Sequence, residues 1–240
     1  MSVSLTREGR VALITLDDGK ANALRPATMS ALLDALDALE AEDIGAVVIA
    51  GRPGVFCGGL DLKLLPTLSH ADQLAAFDQF GRMLLRVWTF PIPTVAAVTG
   101  HAIAGGALLA LTTDLRYGSD GAFRFAINEV VLGLPMPTFG VEIVRSVVPE
   151  WDQADVLLHG RTLTHAEGRD RGMFLDLHSV ERVIEAAMLR ARRLSAVPRI
   201  SYATTKARLR GPLLERAMAT MDAEVPTFIE AFGRVMATRA

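Results

Sequence analysis

Residues 87–113 carry no formal charge, yet Pro91, Pro93, Gly100, His101, Gly105 and Gly106 interrupt the run. A transmembrane helix needs about 20 consecutive apolar residues, so this punctuation predicts instead a buried strand and a buried helix joined by a turn. Residues 94–98 read as the strand, 99–104 as the turn and 105–111 as the helix. A strand that is apolar on both faces must be covered on both, which points to a layered α/β fold.

The other segments supply the layers. Residues 3–5 and 11–16 flank Arg7-Glu8-Gly9-Arg10 as the arms of a hairpin would. Met29, Leu32, Leu33, Leu36 and Leu39 recur at helical spacing over residues 27–40, as do Leu74, Phe77, Phe80, Leu84 and Trp88 over 67–88. Between these helices, residues 46–50 form an apolar run closed by Gly51, which suits a strand buried on both faces. Beyond Asp114, strands are expected at 115–117 and around 123–125, and helices at 138–147, 153–158 and 165–171. A strand at 174–177 and a helix over 180–194 follow. From Pro198 onward only helices are expected, broken at Gly211-Pro212 and near Pro226. The division is an α/β core over residues 1–197, in which strand-strand-helix units recur, and a helical region over 198–240.

Composition narrows the function. With 240 residues, 50% hydrophobic and 22% charged, there is material for a sizeable core, and a net charge of −2 gives no electrostatic reason to expect nucleic acid or an anionic membrane as partner. The single cysteine, Cys57, excludes an intramolecular disulfide and fits a reducing compartment. The first ten residues lack the apolar core of a signal peptide and the acid-free, Arg/Ser-rich character of a transit peptide, so the expected location is cytoplasmic.

Two glycine pairs carry the chemistry. Gly105-Gly106 opens a helix whose first N–H groups have no partner within it, with the helix dipole behind them. Gly58-Gly59 follows a strand through Gly51-Arg52-Pro53-Gly54 and can fold so that the N–H of Leu60 points into a cleft. Either pair alone is an ordinary turn. Together they can aim two N–H groups at one carbonyl oxygen.

These pairs, with Lys20-Ala21-Asn22-Ala23-Leu24 ahead of the first long helix, resemble the crotonase, or enoyl-CoA hydratase/isomerase, superfamily over nearly the whole chain. The resemblance implies a spiral of ββα units with a C-terminal helical trimerisation region, assembly as a homotrimer or dimer of trimers, and an acyl-CoA thioester substrate. Coenzyme A would be part of that substrate, with no separate cofactor or metal. The N–H groups of Leu60 and Gly105 would form the oxyanion hole. Lys20, Ala21, Asn22 and Ala23, with Cys57, Gly58, Gly59, Asp61 and Leu62, would hold the adenine and pantetheine portions.

The two catalytic glutamates of the family's hydratases fall at Leu108 and Glu129, so one of the two acids is missing. Leucine at the first position, with Ile127-Asn128-Glu129 and Pro137-Thr138-Phe139, looks most like the Δ3,Δ2-enoyl-CoA isomerases. The dienoyl-CoA isomerases add acids downstream, where this chain has Val131 and Pro137. Hydration needs one group to activate water and a route for a proton to the α-carbon, whereas moving a double bond needs only one base that returns the proton it takes. The expected activity is therefore isomerisation with Glu129 as proton shuttle. The alternatives are a hydratase, lyase or hydrolase managing with one carboxylate, and an acyl-CoA binding protein without turnover.

Several further residues have plainer readings. His101 could be a base or a packed histidine, and Asp61 suits ordering its own loop. Arg190, Arg192 and Arg193 suit the negative end of a helix dipole. Lys206, Arg208 and Arg210 could reach CoA phosphates or form a solvated face.

Overall fold

The computed structural model describes residues 2–238. β1 (Val3–Glu8) and β2 (Val11–Leu16) pair antiparallel, with Val3 opposite Leu16, and α1 (Pro26–Glu40) crosses to β3 (Ala46–Ala50). Next come β4 (Gly54–Cys57), α2 (His70–Trp88), β5 (Thr94–Val98), β6 (Gly100–Ile103) and α3 (Gly105–Thr112). β7 (Leu115–Ser119), β8 (Arg124–Ala126) and α4 (Thr138–Arg145) repeat the strand, strand, helix order of β3-β4-α2 and β5-β6-α3. The chain then forms α5 (Glu150–Leu157), β9 (Thr162–Thr164), α6 (His165–Asp170), β10 (Asp176–His178), α7 (Val183–Leu194) and α8 (Arg199–Ala237).

The recurring unit builds two sheets at once. Its first strand joins a six-stranded sheet in the order β1-β2-β3-β5-β7-β10, parallel beyond the first hairpin, and its second strand joins a smaller sheet, β4-β6-β8-β9. The strands β3 and β5 are buried at every position, as the apolar runs predict. Side chains on one face of the large sheet meet α1, α2 and α3 in the main core. On the other face Val48, Val95 and Ala97 pack under Val183, Ala187 and Ala191 of α7.

The structure corrects the reading of residues 99–104. Most of that expected turn is the strand β6, and β4 and β9 were likewise not foreseen. A four-residue strand containing Gly100 and His101 has too little alternation to announce itself. Gly100 is there for closeness: a Cβ on it would lie 1.9 Å from the backbone carbon of Gly54 on the neighbouring strand.

The second correction concerns the C-terminal region. Instead of broken helices, α8 runs for 39 residues with Pro212 and Pro226 inside it. A proline in a helix interior costs about 3 kcal/mol through a lost hydrogen bond and a steric clash. Tertiary contacts on both sides of each proline oppose that cost. Lys206 Nζ and Arg210 Nη2 each lie 2.9 Å from a carboxylate oxygen of Asp114. Arg216 forms two parallel bonds to Glu142 of α4, at 2.9 and 3.0 Å. Glu224 accepts the N–H of Thr138 at 2.8 Å and so caps α4 from another helix. Lys206 and Arg210 are buried in these pairs, so neither forms a solvated face or faces outward toward a CoA phosphate; Arg208 between them is exposed. The end of the helical region, residues 239–240, lies outside the described residues. No helix among those described is long and apolar enough to cross a membrane.

Candidate active site

The strands β4 and β6 are parallel neighbours, so the residues that follow each leave the small sheet at the same end. That common exit brings Gly58-Gly59 and Gly105-Gly106 together. A Cβ built on Gly59 would stand 3.0 Å from the nitrogen of Gly105, and one on Gly106 would stand 2.0 Å from the carbonyl oxygen of Cys57. Only glycine permits such an approach, and Gly59 also needs its φ of +82°. Ala104, just before α3, has φ 51° and ψ −126°, a conformation that costs a non-glycine residue about 1–3 kcal/mol. Its N–H donates to Ala126 of β8 at 2.7 Å, which holds it there. The N–H groups of Leu60 and Gly105 have no hydrogen-bond partner among the described residues. Both residues line a single cavity of about 50 Å³.

The loop at Lys20, Ala21, Asn22 and Ala23 is braided into this arrangement. Gly58 donates to the carbonyl of Ala21 at 2.9 Å, Leu24 donates to that of Gly59 at 2.8 Å, and the thiol of Cys57 donates to that of Asn22 at 3.1 Å. Asn22 is buried at a φ of 51°; its Nδ2 donates to the carbonyls of Leu16, Val55 and Phe56, and its Oδ1 accepts from Asp18 N. The side chains of Asn22 and Cys57 are thus committed inside the protein. Burial pushes the Cys57 thiol up to about 12, so it is inert at neutral pH. Asp61 accepts from the N–H groups of Lys63 and Leu64, both at 3.0 Å, and pairs with Arg25 at 2.6 Å. Burial alone would raise its carboxyl, but Arg25 and those N–H groups outweigh it and hold it below the ordinary range. Lys20 and Lys63 stand exposed beside these loops, with Leu62 on the cavity wall.

Glu129 enters the cavity from the loop after β8. Its own carbonyl accepts from Leu132 and Leu134 N–H, at 3.0 and 2.9 Å, which curls the chain so that the side chain turns inward. The residue is 7% exposed and its Oε2 has no hydrogen-bond partner. Burial among apolar groups pushes its pKa up to about 7. Leu108, one turn of α3 beyond Gly105, is buried and lines the same cavity. Of the described residues lining it, Glu129 alone is ionisable.

His101 is elsewhere. It alternates with the buried Ala102 along β6, borders a different cavity with Ile103 and Arg124, and its Nδ1 accepts from Arg124 N at 3.1 Å. Sequence reasoning missed Ala104, whose strain no propensity announces. It also read Phe77 and Phe80 only as the apolar face of a helix, although both border the cavity, as does Phe228 of α8.

Comparison with known proteins agrees with this architecture. The enoyl-CoA hydratase/isomerase family model matches residues 6–235, and the chain belongs to that family. Two structures of one Mycobacterium tuberculosis protein superpose on it. One, named an enoyl-CoA isomerase, has a TM-score of 0.87 at 32% identity and covers 94% of this chain and 98% of its own. The other, named enoyl-CoA hydratase EchA3, has a TM-score of 0.91 at 31% identity and covers 98% and 100%. The human mitochondrial Δ3,Δ2-enoyl-CoA isomerase superposes with a TM-score of 0.92 at 25% identity, over 97% of this chain and 92% of that one. Hydratase names predominate among the curated relatives. This is an acyl-CoA enzyme with the crotonase fold.

Proposed function

We propose that the enzyme is a Δ3,Δ2-enoyl-CoA isomerase in which Glu129 is the sole proton shuttle. The observation that carries this reading is the inventory of the cavity: one carboxylate, and leucine where a second acid would stand across from it. The N–H groups of Leu60 and Gly105 receive the thioester oxygen. Glu129 removes a proton from C2 of a 3-enoyl-CoA; the electrons of that C–H bond form a C1–C2 double bond and the carbonyl pair moves onto the oxygen, leaving a dienolate conjugated with the C3–C4 double bond. Each preorganised N–H stabilises such an oxyanion by roughly 3–4 kcal/mol. The protonated Glu129 then delivers the same proton to C4, and the carbonyl re-forms with the double bond between C2 and C3.

A carboxyl poised near neutrality suits both halves of this transfer, since it must gain and lose a proton in one turnover. Leu108 keeps the space near the dienolate apolar and gives water no acceptor. The adenine and pantetheine portions lie along the loops at 20–23 and 57–62, with the exposed Lys20 and Lys63 offering positive charge to the phosphates. The active unit is a homotrimer or dimer of trimers, in keeping with Trp151 and Ile200, each 83% exposed, and Leu209, 73% exposed. The cytoplasm is its proposed location.

The names of the curated relatives favour a hydratase, and product analysis separates the two. Pure protein is incubated with 3-enoyl-CoA and, separately, with 2-enoyl-CoA. Conversion of the first to 2-enoyl-CoA with little 3-hydroxyacyl-CoA from the second is the expected result, and rapid hydration of the second overturns it.

A further inference from the structure

We propose that the cavity takes a short- or medium-chain acyl group because a stacked pair, Phe77 of α2 and Phe228 of α8, closes its far end. The inference rests on the cavity being an acyl-CoA site. Moving outward from the oxyanion turn, the first side chain met is Phe80: a Cβ on Gly105 would lie 2.7 Å from its ring tip. One helical turn back on α2, Phe77 follows, with ring centroids 5.9 Å apart. Phe77 in turn stacks on Phe228 at 3.7 Å, with an angle of 11° between the rings. Phe139 backs both α2 rings, at 6.1 and 5.9 Å.

All four rings are buried, so the cavity does not reach solvent on this side. The mouth lies toward exposed Gly58 and half-buried Leu60 and Leu62. The cavity volume of about 50 Å³ leaves room for about three to five water-sized groups at ~10–15 Å³ each. The thioester and the end of the pantetheine take part of that.

The wall cannot easily step aside. Behind it, a Cβ on Gly81 would meet the Met221 methyl at 2.3 Å and the Phe139 ring at 3.0 Å, so α2 and α8 are already in close contact. Phe228 is also held in register from a distance, because the Glu224–Thr138 and Arg216–Glu142 contacts fix α8 against α4 just before it. A longer chain would have to displace a stacked ring that belongs to an anchored helix. Phe228 is therefore the residue that sets chain length.

The test is binding, which does not depend on which reaction the enzyme catalyses. Hexanoyl-CoA, dodecanoyl-CoA and free CoA are titrated calorimetrically into wild type, Phe228→Ala and, as a control on the exposed side of α8, Met218→Ala. Wild type and Met218→Ala should prefer hexanoyl-CoA by about tenfold or more, and Phe228→Ala should move the ratio by about tenfold toward dodecanoyl-CoA. Should Phe228→Ala lose its native circular dichroism, Phe77→Leu and Phe228→Leu must shift the ratio in the same direction by a smaller factor. Equal binding of both thioesters by wild type, or an unchanged ratio in the folded variants, overturns the closed-end assignment. Thioester binding no tighter than that of free CoA would instead show that the cavity is not an acyl site at all.

Discussion

Glu129 and Asp114 are both buried carboxylates, and the protein treats them in opposite ways. Around Asp114 every oxygen is answered: Lys206 and Arg210 lie at 2.9 Å, and Thr94 donates through both its N–H and its hydroxyl. Burial would raise that carboxyl, yet the two cations prevail and hold it below the ordinary range. Around Glu129 no cation is present in the cavity wall and one oxygen is left without a partner, so burial outweighs the one opposing interaction, with its own backbone N–H, and its pKa rises to about 7. The first arrangement anchors a helix. The second leaves a carboxyl that can gain and lose a proton near neutral pH, as the proposed proton shuttle requires.

The comparison breaks most clearly at Glu129. Glu129→Gln keeps the shape and removes the base, so isomerisation of 3-enoyl-CoA should fall by about 10²–10⁴-fold while CoA-thioester affinity changes only a few-fold. Steady-state kinetics beside calorimetric binding would check it. A variant that kept most of its rate would move the base elsewhere.

Asp114→Asn makes the reverse test. It leaves Arg210 charged and buried without its counter-ion and drives Lys206, already lowered by burial to about 8, further toward its neutral form, which should destabilise the fold by about 3–5 kcal/mol. Urea unfolding measures this, and α8 should be the first element to lose hydrogen-exchange protection. A loss below about 1 kcal/mol would mean that the cluster is not what anchors α8.

The pH dependence sharpens the contrast. Because the folded state binds the Glu129 proton more tightly than the unfolded chain does, stability falls as pH rises from about 4.5 to about 7. The full penalty, about 3 kcal/mol, is present above pH 7 and absent below pH 4. Glu129→Gln should therefore be more stable than wild type at pH 8 and no more stable at pH 4. Asp114 contributes with the opposite sign, its stabilisation being lost as pH falls through its depressed pKa. In wild type, kcat/KM for isomerisation should rise with pH through a limb near 7. A limb near 4.5 would refute the apolar setting of Glu129.

The smallest expected effect is a change of product ratio. Leu108→Glu places a second acid on the face that carries Gly105 one turn away, and hydration of 2-enoyl-CoA should rise relative to isomerisation. The variant will also lose stability and raise the proton affinity of one carboxyl. Chromatography of 3-hydroxyacyl-CoA against isomerised product reads the ratio, and no change in a folded, binding-competent variant would mean that Leu108 does not separate the two reactions.

Much of this molecule was legible in its amino-acid order. The runs at β3 and β5 announce a sheet covered on both faces because a fully apolar strand has nowhere else to go. The glycine pairs announce close backbone approach because no other residue tolerates it. The absence of an acid at Leu108 needed no structure to be seen. Short polar strands such as β6 and β9 were not legible, since three or four residues carry no periodicity and gain their hydrogen bonds from neighbours far along the chain.

What the sequence determined by itself was the local chemistry: which segments are apolar, where the backbone can turn tightly, and that of the two positions 108 and 129 only the second carries a carboxylate. The tertiary structure alone decided what that chemistry could meet. It turned Lys206 and Arg210 inward onto Asp114, carried α8 through two prolines, and set Phe228 against Phe77 across 151 positions of sequence. It also left Glu129 unpaired in an apolar cavity. Burial and charge pairing are properties of the surroundings of a side chain, and those surroundings exist only once distant segments have packed together.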